Sequence, residues 1–228
     1  MRSKKLTLDR QMVKRILMSL GGVVIGAVAV GIFKIAAFGV DPFQAFMNGL
    51  NALIPISFGT LYMICNALLL VFSLLFDRSR IGVTTFINLF LLGYVVDFSY
   101  WLFRLLLPDP ALWVRVVCLI VGIVVLCIAS AFYMTADLGV STYDAVAIVM
   151  ANKWHLGKFK VIRIITDVVC VALGVFFFLI SGGDSREIFA FAGIGTIITA
   201  FFMGPLIQYF IDTMAVPILT GTKTNQKK

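Results

Sequence analysis

Six long apolar stretches, joined by short polar connections, constrain this chain more than any other feature of its sequence. They cover residues 16–38, 58–76, 81–107, 112–136, 161–180 and 188–211. A helix needs roughly 20 apolar residues to cross the hydrocarbon core of a bilayer. Only 13% of the residues are charged, whereas soluble domains carry about 25%. The sequence therefore predicts an all-α, polytopic transmembrane protein whose main partner is the lipid bilayer.

Two shorter segments, 42–53 and 142–151, follow the first and fourth stretches. A helix rises about 1.5 Å per residue, so helices of this length cover only about half of a bilayer. Two interpretations are open for both segments. They form either re-entrant helices inside the membrane or interfacial helices on its surface.

An internal repeat relates the two parts of the chain. Residues 39–45 (GVDPFQA) resemble residues 139–145 (GVSTYDA), 100 positions later. Further on, Gly82 and Thr85 have the same spacing as Gly193 and Thr196. We assign membrane repeat 1 to 16–107 and membrane repeat 2 to 112–211. Each repeat has three spans, an odd number, so the second must enter the membrane from the opposite side, as in inverted-repeat transporters.

The distribution of charge gives an independent prediction of topology. Lys and Arg together number 19. If both ends are cytoplasmic, all but four of these basic residues lie in cytoplasmic segments. The four exceptions are Lys34, Arg104, Arg115 and Arg186. By the positive-inside rule we expect cytoplasmic tails at 1–15 and 212–228, in a multi-pass protein of the bacterial inner membrane.

The repeated block and the later Gly-Thr segments resemble the YczE/YitT group of bacterial membrane proteins, over nearly the whole chain. The chain ends soon after its sixth span, and so is more similar to the YczE-type branch than to relatives with a further soluble domain. The resemblance implies a transporter-like protein with a connection to small-molecule export. The motif is mainly structural and implies no particular activity.

The turns before the short segments supply the first candidate site residues. Gly39 and Gly139 allow a sharp change of chain direction, and Gly39→Val or Gly139→Val should impair folding or function. Asp41 before Pro42, and Ser141 in the second copy, are typical helix N-caps. Free N–H groups at such ends can hold an anion or a polar ligand. An ordinary helix-turn-helix at the membrane surface explains the same residues.

The first short segment also carries a polar stripe with helical spacing. It consists of Asp41, Gln44, Asn48 and Asn51, which share one helix face. In the second copy Asp144 replaces Gln44, whereas Ile148 replaces Asn48. The stripe either lines a water-filled cavity or faces lipid headgroups.

Polar residues inside the long stretches complete the candidate set. Asn66, Asn88, Asp97 and Asp167 all lie within spans. Intramembrane ionisable groups cost at least about 2.5 kcal/mol and usually face a cavity or a partner. Asp167 is predicted either to couple transport to protons or to pair with Arg163 one turn earlier. For Asn66 and Asn88, interhelical hydrogen bonds are the simpler interpretation.

Several function classes find no support in the sequence. It contains no nucleotide-binding loop, no catalytic Ser or zinc motif and no clustered Cys and His residues. We therefore expect no enzyme activity, no cofactor, no metal and no nucleic-acid partner. Gly22 and Gly26 form a GxxxG pattern, which is typical of close helix packing and compatible with a homodimer.

These observations favour a secondary transporter or exporter of an unknown small molecule, with its site between the two repeats. A non-transporting membrane scaffold or regulatory partner is the alternative from a different class. A channel is a third hypothesis, since paired re-entrant helices also build pores.

Overall fold

The structure, a computed structural model, describes residues 10–78, 81–157 and 159–221. These residues form eight main helices connected by short turns. They are α1 Arg10–Ala36, α2 Pro42–Leu53, α3 Phe58–Phe76, α4 Val83–Leu106, α5 Leu112–Ala136, α6 142–153, α7 Phe159–Ile180 and α8 194–220. Short helical turns at Ser185–Glu187 and Ile188–Phe191 precede α8.

The described residues contain six helices that are long and apolar enough to span a membrane, which confirms the prediction of an all-helical, multi-pass protein. The sixth helix is longer than predicted. It does not end near residue 211 but continues to Thr220 through a π-helical segment, Ile211–Ala215. Some of the basic residues that were predicted to be cytoplasmic, those at 1–9, 79–80, 158 and 222–228, lie outside the described residues.

Helices α1 and α5 pack against each other in antiparallel directions. Gly22 in α1 lies against the backbone of Ala129 and Tyr133, whereas Phe33, three turns later, lies on Gly122. Residue numbers on α5 fall as residue numbers on α1 rise, so the two helices run in opposite directions. The GxxxG pattern therefore packs two helices of one chain closely together.

The chain changes direction at two equivalent places, which we call the first break (residues 37–41) and the second break (137–141). Ala37 and Asp137 both have left-handed backbones, with φ of 53° and 51°. Gly39 and Gly139 follow with φ of 103° and 112°. L-residues with a side chain rarely adopt such angles, which accounts for the glycines.

Each break packs on the start of the last span of the other half. A Cβ at Gly39 would lie 2.5 Å from the Gly193 nitrogen and 2.6 Å from Thr196 Oγ1. At Gly139 it would lie 2.5 Å from the Gly82 nitrogen and 2.8 Å from Thr85 Oγ1. Each Gly-x-x-Thr motif therefore packs directly against the glycine of one break, and the contact leaves no room for a side chain at Gly39 or Gly139.

An arginine from the facing long helix caps each end of the α1–α5 pair. Arg115 donates to the carbonyls of Ala36 and Ala37 at 2.9 and 3.0 Å. Arg15 donates to the Ala136 carbonyl at 3.3 Å. These side chains satisfy helix-terminal carbonyls that have no partner within their own helix.

Candidate functional site

A cluster of ionisable side chains lies where α6 meets α7. Arg163 Nη1 donates to Asp144 Oδ1, and Arg163 Nε lies 3.3 Å from Asp167 Oδ1. The three side chains are 32%, 22% and 9% exposed. One guanidinium is therefore shared by two carboxylates, and with all groups ionised this triad carries one excess negative charge.

Hydroxyl groups complete the coordination of both carboxylates. Tyr143 donates to Asp167 Oδ1 at 2.7 Å. Tyr133 and Ser141 donate to Asp144 Oδ2 at 3.1 and 2.6 Å. Ser141 also accepts from the Asp144 amide, at 3.1 Å, so it is the N-cap that the sequence predicts. These contacts fix the positions of the carboxylates around the Arg163 guanidinium.

A second polar chain of residues crosses from α6 to α3 and α4. Thr142 Oγ1 donates to Asn66 Oδ1, and Asn66 Nδ2 donates to the Tyr62 carbonyl at 2.8 Å. The Tyr62 hydroxyl donates to Asn88 Oδ1 at 3.0 Å. Asn88 begins the π-helical segment Asn88–Leu92 of α4, and such segments are frequent at functional sites. Asn66 and Asn88 thus form the expected contacts between helices, and they do so beside the ionised cluster.

The N-terminal ends of the two short helices meet next to this cluster. The rings of Phe43 and Tyr143 stack with centroids 4.9 Å apart, and the Arg163 guanidinium lies 4.3 Å from the Tyr143 ring centre. Asp41 caps α2 by accepting from the Gln44 amide at 3.1 Å, and it lies within electrostatic range of Arg163. The structure therefore places both N-caps near one set of charges.

Gln44 lies on the same face of α2 and is only 4% exposed. Its Oε1 is buried without a hydrogen-bond partner. Such an orphaned acceptor normally costs about 1–3 kcal/mol. Its position beside the meeting point of the short helices fits an acceptor kept free for a ligand or a water molecule.

Other candidates lie elsewhere. Asp97 accepts from the Gly59 amide at 2.7 Å, at the start of α3. Lys34 Nζ lies 3.8 Å from the centre of the Phe58 ring. Asp97 is thus a helix cap beside Lys34 and makes no contact with the Arg163 cluster.

The positive-inside argument counted Arg163 among the cytoplasmic charges. The structure places Arg163 in the first turn of the fifth candidate span, Val161–Ile180, with its guanidinium between two carboxylates. Its spacing from Asp167 did indicate an ion pair. The repeat had pointed to Asp144 as a candidate, but nothing in the sequence indicated that Asp144, Tyr133 and Tyr143 meet Arg163, because they reach the cluster from other helices.

Within the described part of the chain, no group of three or more His, Cys, Asp and Glu side chains is arranged to hold a metal ion. The four cysteines are free thiols. What the site can do chemically is exchange ions. The guanidinium can bind an anionic group, the carboxylates can take up a proton or a cation, and the hydroxyls can rearrange between them.

Comparison with known proteins gives a family without an assigned activity. A model described as a family of unknown function (DUF6198) matches residues 13–212. The chain belongs to this family. It is also similar to an uncharacterized protein of Haemophilus influenzae, with 24% identity over 186 residues that cover 81% of this chain and 78% of that protein. No solved structure matches.

Proposed function

We propose that this member of the DUF6198 family is a secondary transporter that exports a small molecule across the bacterial cytoplasmic membrane. Its resemblance to the YczE/YitT group is in keeping with this role. The site lies where the two short helices meet, around Arg163, Asp144 and Asp167. Both termini are cytoplasmic in this proposal.

One observation carries the proposal, namely the unequal charge of the Arg163 cluster. A structural ion pair needs one carboxylate for one guanidinium. Here two carboxylates contact the same guanidinium, and Asp41 adds a third nearby. Burying charges is expensive unless they are paired. One bound proton would neutralise the triad, so Asp144 or Asp167 can carry the coupling proton during transport.

The packing of the helices supports an inverted repeat. The antiparallel α1 and α5, the two equivalent breaks and the reciprocal Gly-x-x-Thr contacts occur in the same order in both halves. Two halves of opposite orientation that share a site are the architecture of many transporters.

The same contacts favour re-entrant over interfacial short helices. Phe43 and Tyr143 meet between the halves, and Gly49 of α2 packs against the backbone of Gly174 in α7. A helix on the membrane surface would present its polar face to the headgroups. In this protein Gln44 and Thr142, which lie on the short helices, are buried. A scaffold or regulatory partner has no need of such a buried polar site.

Proton coupling can be tested in proteoliposomes of phosphatidylethanolamine and phosphatidylglycerol that contain a pH-sensitive dye. A panel of small polar metabolites is loaded inside, and proton flux is recorded after dilution. Asp167→Asn preserves shape and hydrogen bonding, so it should abolish coupled proton flux while leaving substrate exchange largely intact. Asp109→Asn, in the exposed α4–α5 turn, is the control. Normal stability and normal coupled flux in Asp167→Asn would rule out the coupling role.

Topology can be tested by labelling single cysteines in a variant without the four native cysteines. Residues 78 and 153 should react from the cytoplasmic side, and residues 109 and 183 from the opposite side. Labelling of residues 78 and 109 from the same side would contradict the six-span arrangement.

A further inference from the structure

A polar cavity, separate from the Arg163 cluster, opens at the end of the molecule where α1 ends. Its volume is about 370 Å³, which lies within the range of pockets that hold small molecules. Its polar lining side chains are Lys34, Asn48, Asn51, Tyr100 and Glu187. We call it the Lys34 cavity.

Lys34 supplies the positive charge of the cavity and makes no close ion pair. Its ammonium lies 3.8 Å from the Phe58 ring centre and 5.3 Å from the Tyr100 ring centre. Aromatic faces stabilise a cation but leave its charge available. The described residues place no carboxylate within 4.0 Å of Lys34. The nearby Asp97 accepts from the Gly59 amide and interacts with Lys34 only electrostatically, at longer range.

Glu187 supplies a negative charge on another wall of the same cavity. It forms no ion pair with any described residue. Asn48 likewise has no side-chain hydrogen bond to the described chain. Among the described residues, the cavity therefore presents a cation and a carboxylate that make no ion pair within 4.0 Å, together with the neutral amide of Asn48.

We propose that the Lys34 cavity binds a small zwitterion of the amino-acid type. Its carboxylate binds Lys34, its ammonium binds Glu187, and Asn48 and Tyr100 supply neutral hydrogen bonds. A zwitterion satisfies both wall charges at once, whereas a simple carboxylate or amine leaves one of them unpaired. As a transport substrate the zwitterion depends on the function proposed above, but binding at the cavity does not require transport.

The polar face of α2 connects this cavity to the Arg163 cluster. Asn48 and Asn51 line the cavity at the C-terminal end of the helix, and Asp41 lies near Arg163 at the N-terminal end. Gln44, with its unpartnered Oε1, lies between them. The stripe of four polar residues on α2 therefore extends from the Arg163 cluster to the Lys34 cavity.

Binding is measured by equilibrium dialysis on the full chain in nanodiscs, with radiolabelled L-glutamine and L-alanine as probes. Propionate and n-propylamine are competitors that each carry only one of the two charges. We expect an amino acid to bind and both competitors to displace it weakly. Lys34→Met, which keeps the apolar stem, should weaken binding about tenfold or more. Glu187→Gln should also weaken amino-acid binding. It should reduce the difference in affinity between the amino acid and propionate.

Arg186→Gln is the matched control, because Arg186 is exposed beside Glu187 and does not line the cavity. Unfolding profiles of all variants show whether a loss of binding reflects a loss of fold. If neither L-glutamine nor L-alanine binds, or if Lys34→Met binds them as well as wild type, the zwitterion site is wrong. Binding without proton-coupled flux would instead overturn the transport proposal and leave the site intact.

Discussion

The first and second breaks have nearly the same backbone but serve different ends. Both combine a left-handed residue, a glycine with positive φ, an N-cap and a glycine contact with the other half. After the first break, α2 carries amides that face the Lys34 cavity. After the second, α6 carries Asp144 and forms the ionised cluster. The two halves thus share the way in which the chain turns. They differ in the side chains after each turn, which line the Lys34 cavity in one half and form the Arg163 cluster in the other.

The largest effect on folding should come from adding a side chain at the glycine of either break. Gly39→Val and Gly139→Val each place a Cβ less than 3 Å from backbone nitrogen and threonine hydroxyl groups, at a strained φ. We expect both variants to lose the folded protein, as measured by yield and monodispersity in size-exclusion chromatography. Gly21→Val is the control, because nothing lies within 4 Å of a Cβ there. If only one break tolerates valine, the two are not equivalent.

The next largest effect should be specific to the second break. Arg163→Gln leaves the carboxylates of Asp144 and Asp167 close together without a cation, and should destabilise the protein by about 3–5 kcal/mol. Unfolding in a series of SDS mole fractions measures this. Adding Asp144→Asn to Arg163→Gln should restore much of the loss, because it removes one of the uncompensated charges. No recovery in the double variant would show that Arg163 acts through packing on Tyr143 instead.

The two capping arginines should differ by a smaller amount. Arg115 makes two bonds to backbone carbonyls and lies 4.7 Å from the Phe38 ring centre. Arg15 makes one backbone bond and an ion pair with Asp137, whose side chain is 89% exposed. Arg115→Gln should destabilise by about 1–3 kcal/mol, and Arg15→Gln by about 0–1 kcal/mol, in the same SDS assay. Equal losses of stability in the two variants would mean that the greater exposure of the Arg15–Asp137 pair does not weaken that cap.

The smallest effect on stability should come from making the first short helix resemble the second. Asn48→Ile introduces the residue found at the equivalent position 148, and the Asn48 side chain makes no hydrogen bond to any residue that the structure describes. We expect a change within about 0.5 kcal/mol in stability, together with weaker L-glutamine binding at the Lys34 cavity. A large loss of stability, or unchanged binding, would show that Asn48 does not serve the cavity.

Much of the fold could be predicted from the sequence because its signals are local. Apolar length gave six spans, and Asp41-Pro42 and Ser141 gave the starts of the two short helices. The matched glycines and threonines indicated a repeat, and the structure explains their spacing through the contact of each break with the other half's last span. The end of the last span was missed, because a π-helical segment carries α8 past the expected stop at Asp212.

The sequence by itself determined that the chain folds in a lipid environment, how many spans it has and where the two breaks lie. It also indicated most of the polar residues of the candidate site. Only the tertiary structure decided which of these residues meet. Asp144 and Asp167 share Arg163 because α6 packs on α7, and Lys34 shares a cavity with Glu187 although 153 positions separate them. Helical periodicity specifies which face a residue occupies, but helix packing specifies what that face contacts. The charge imbalance at Arg163 arises only from that packing.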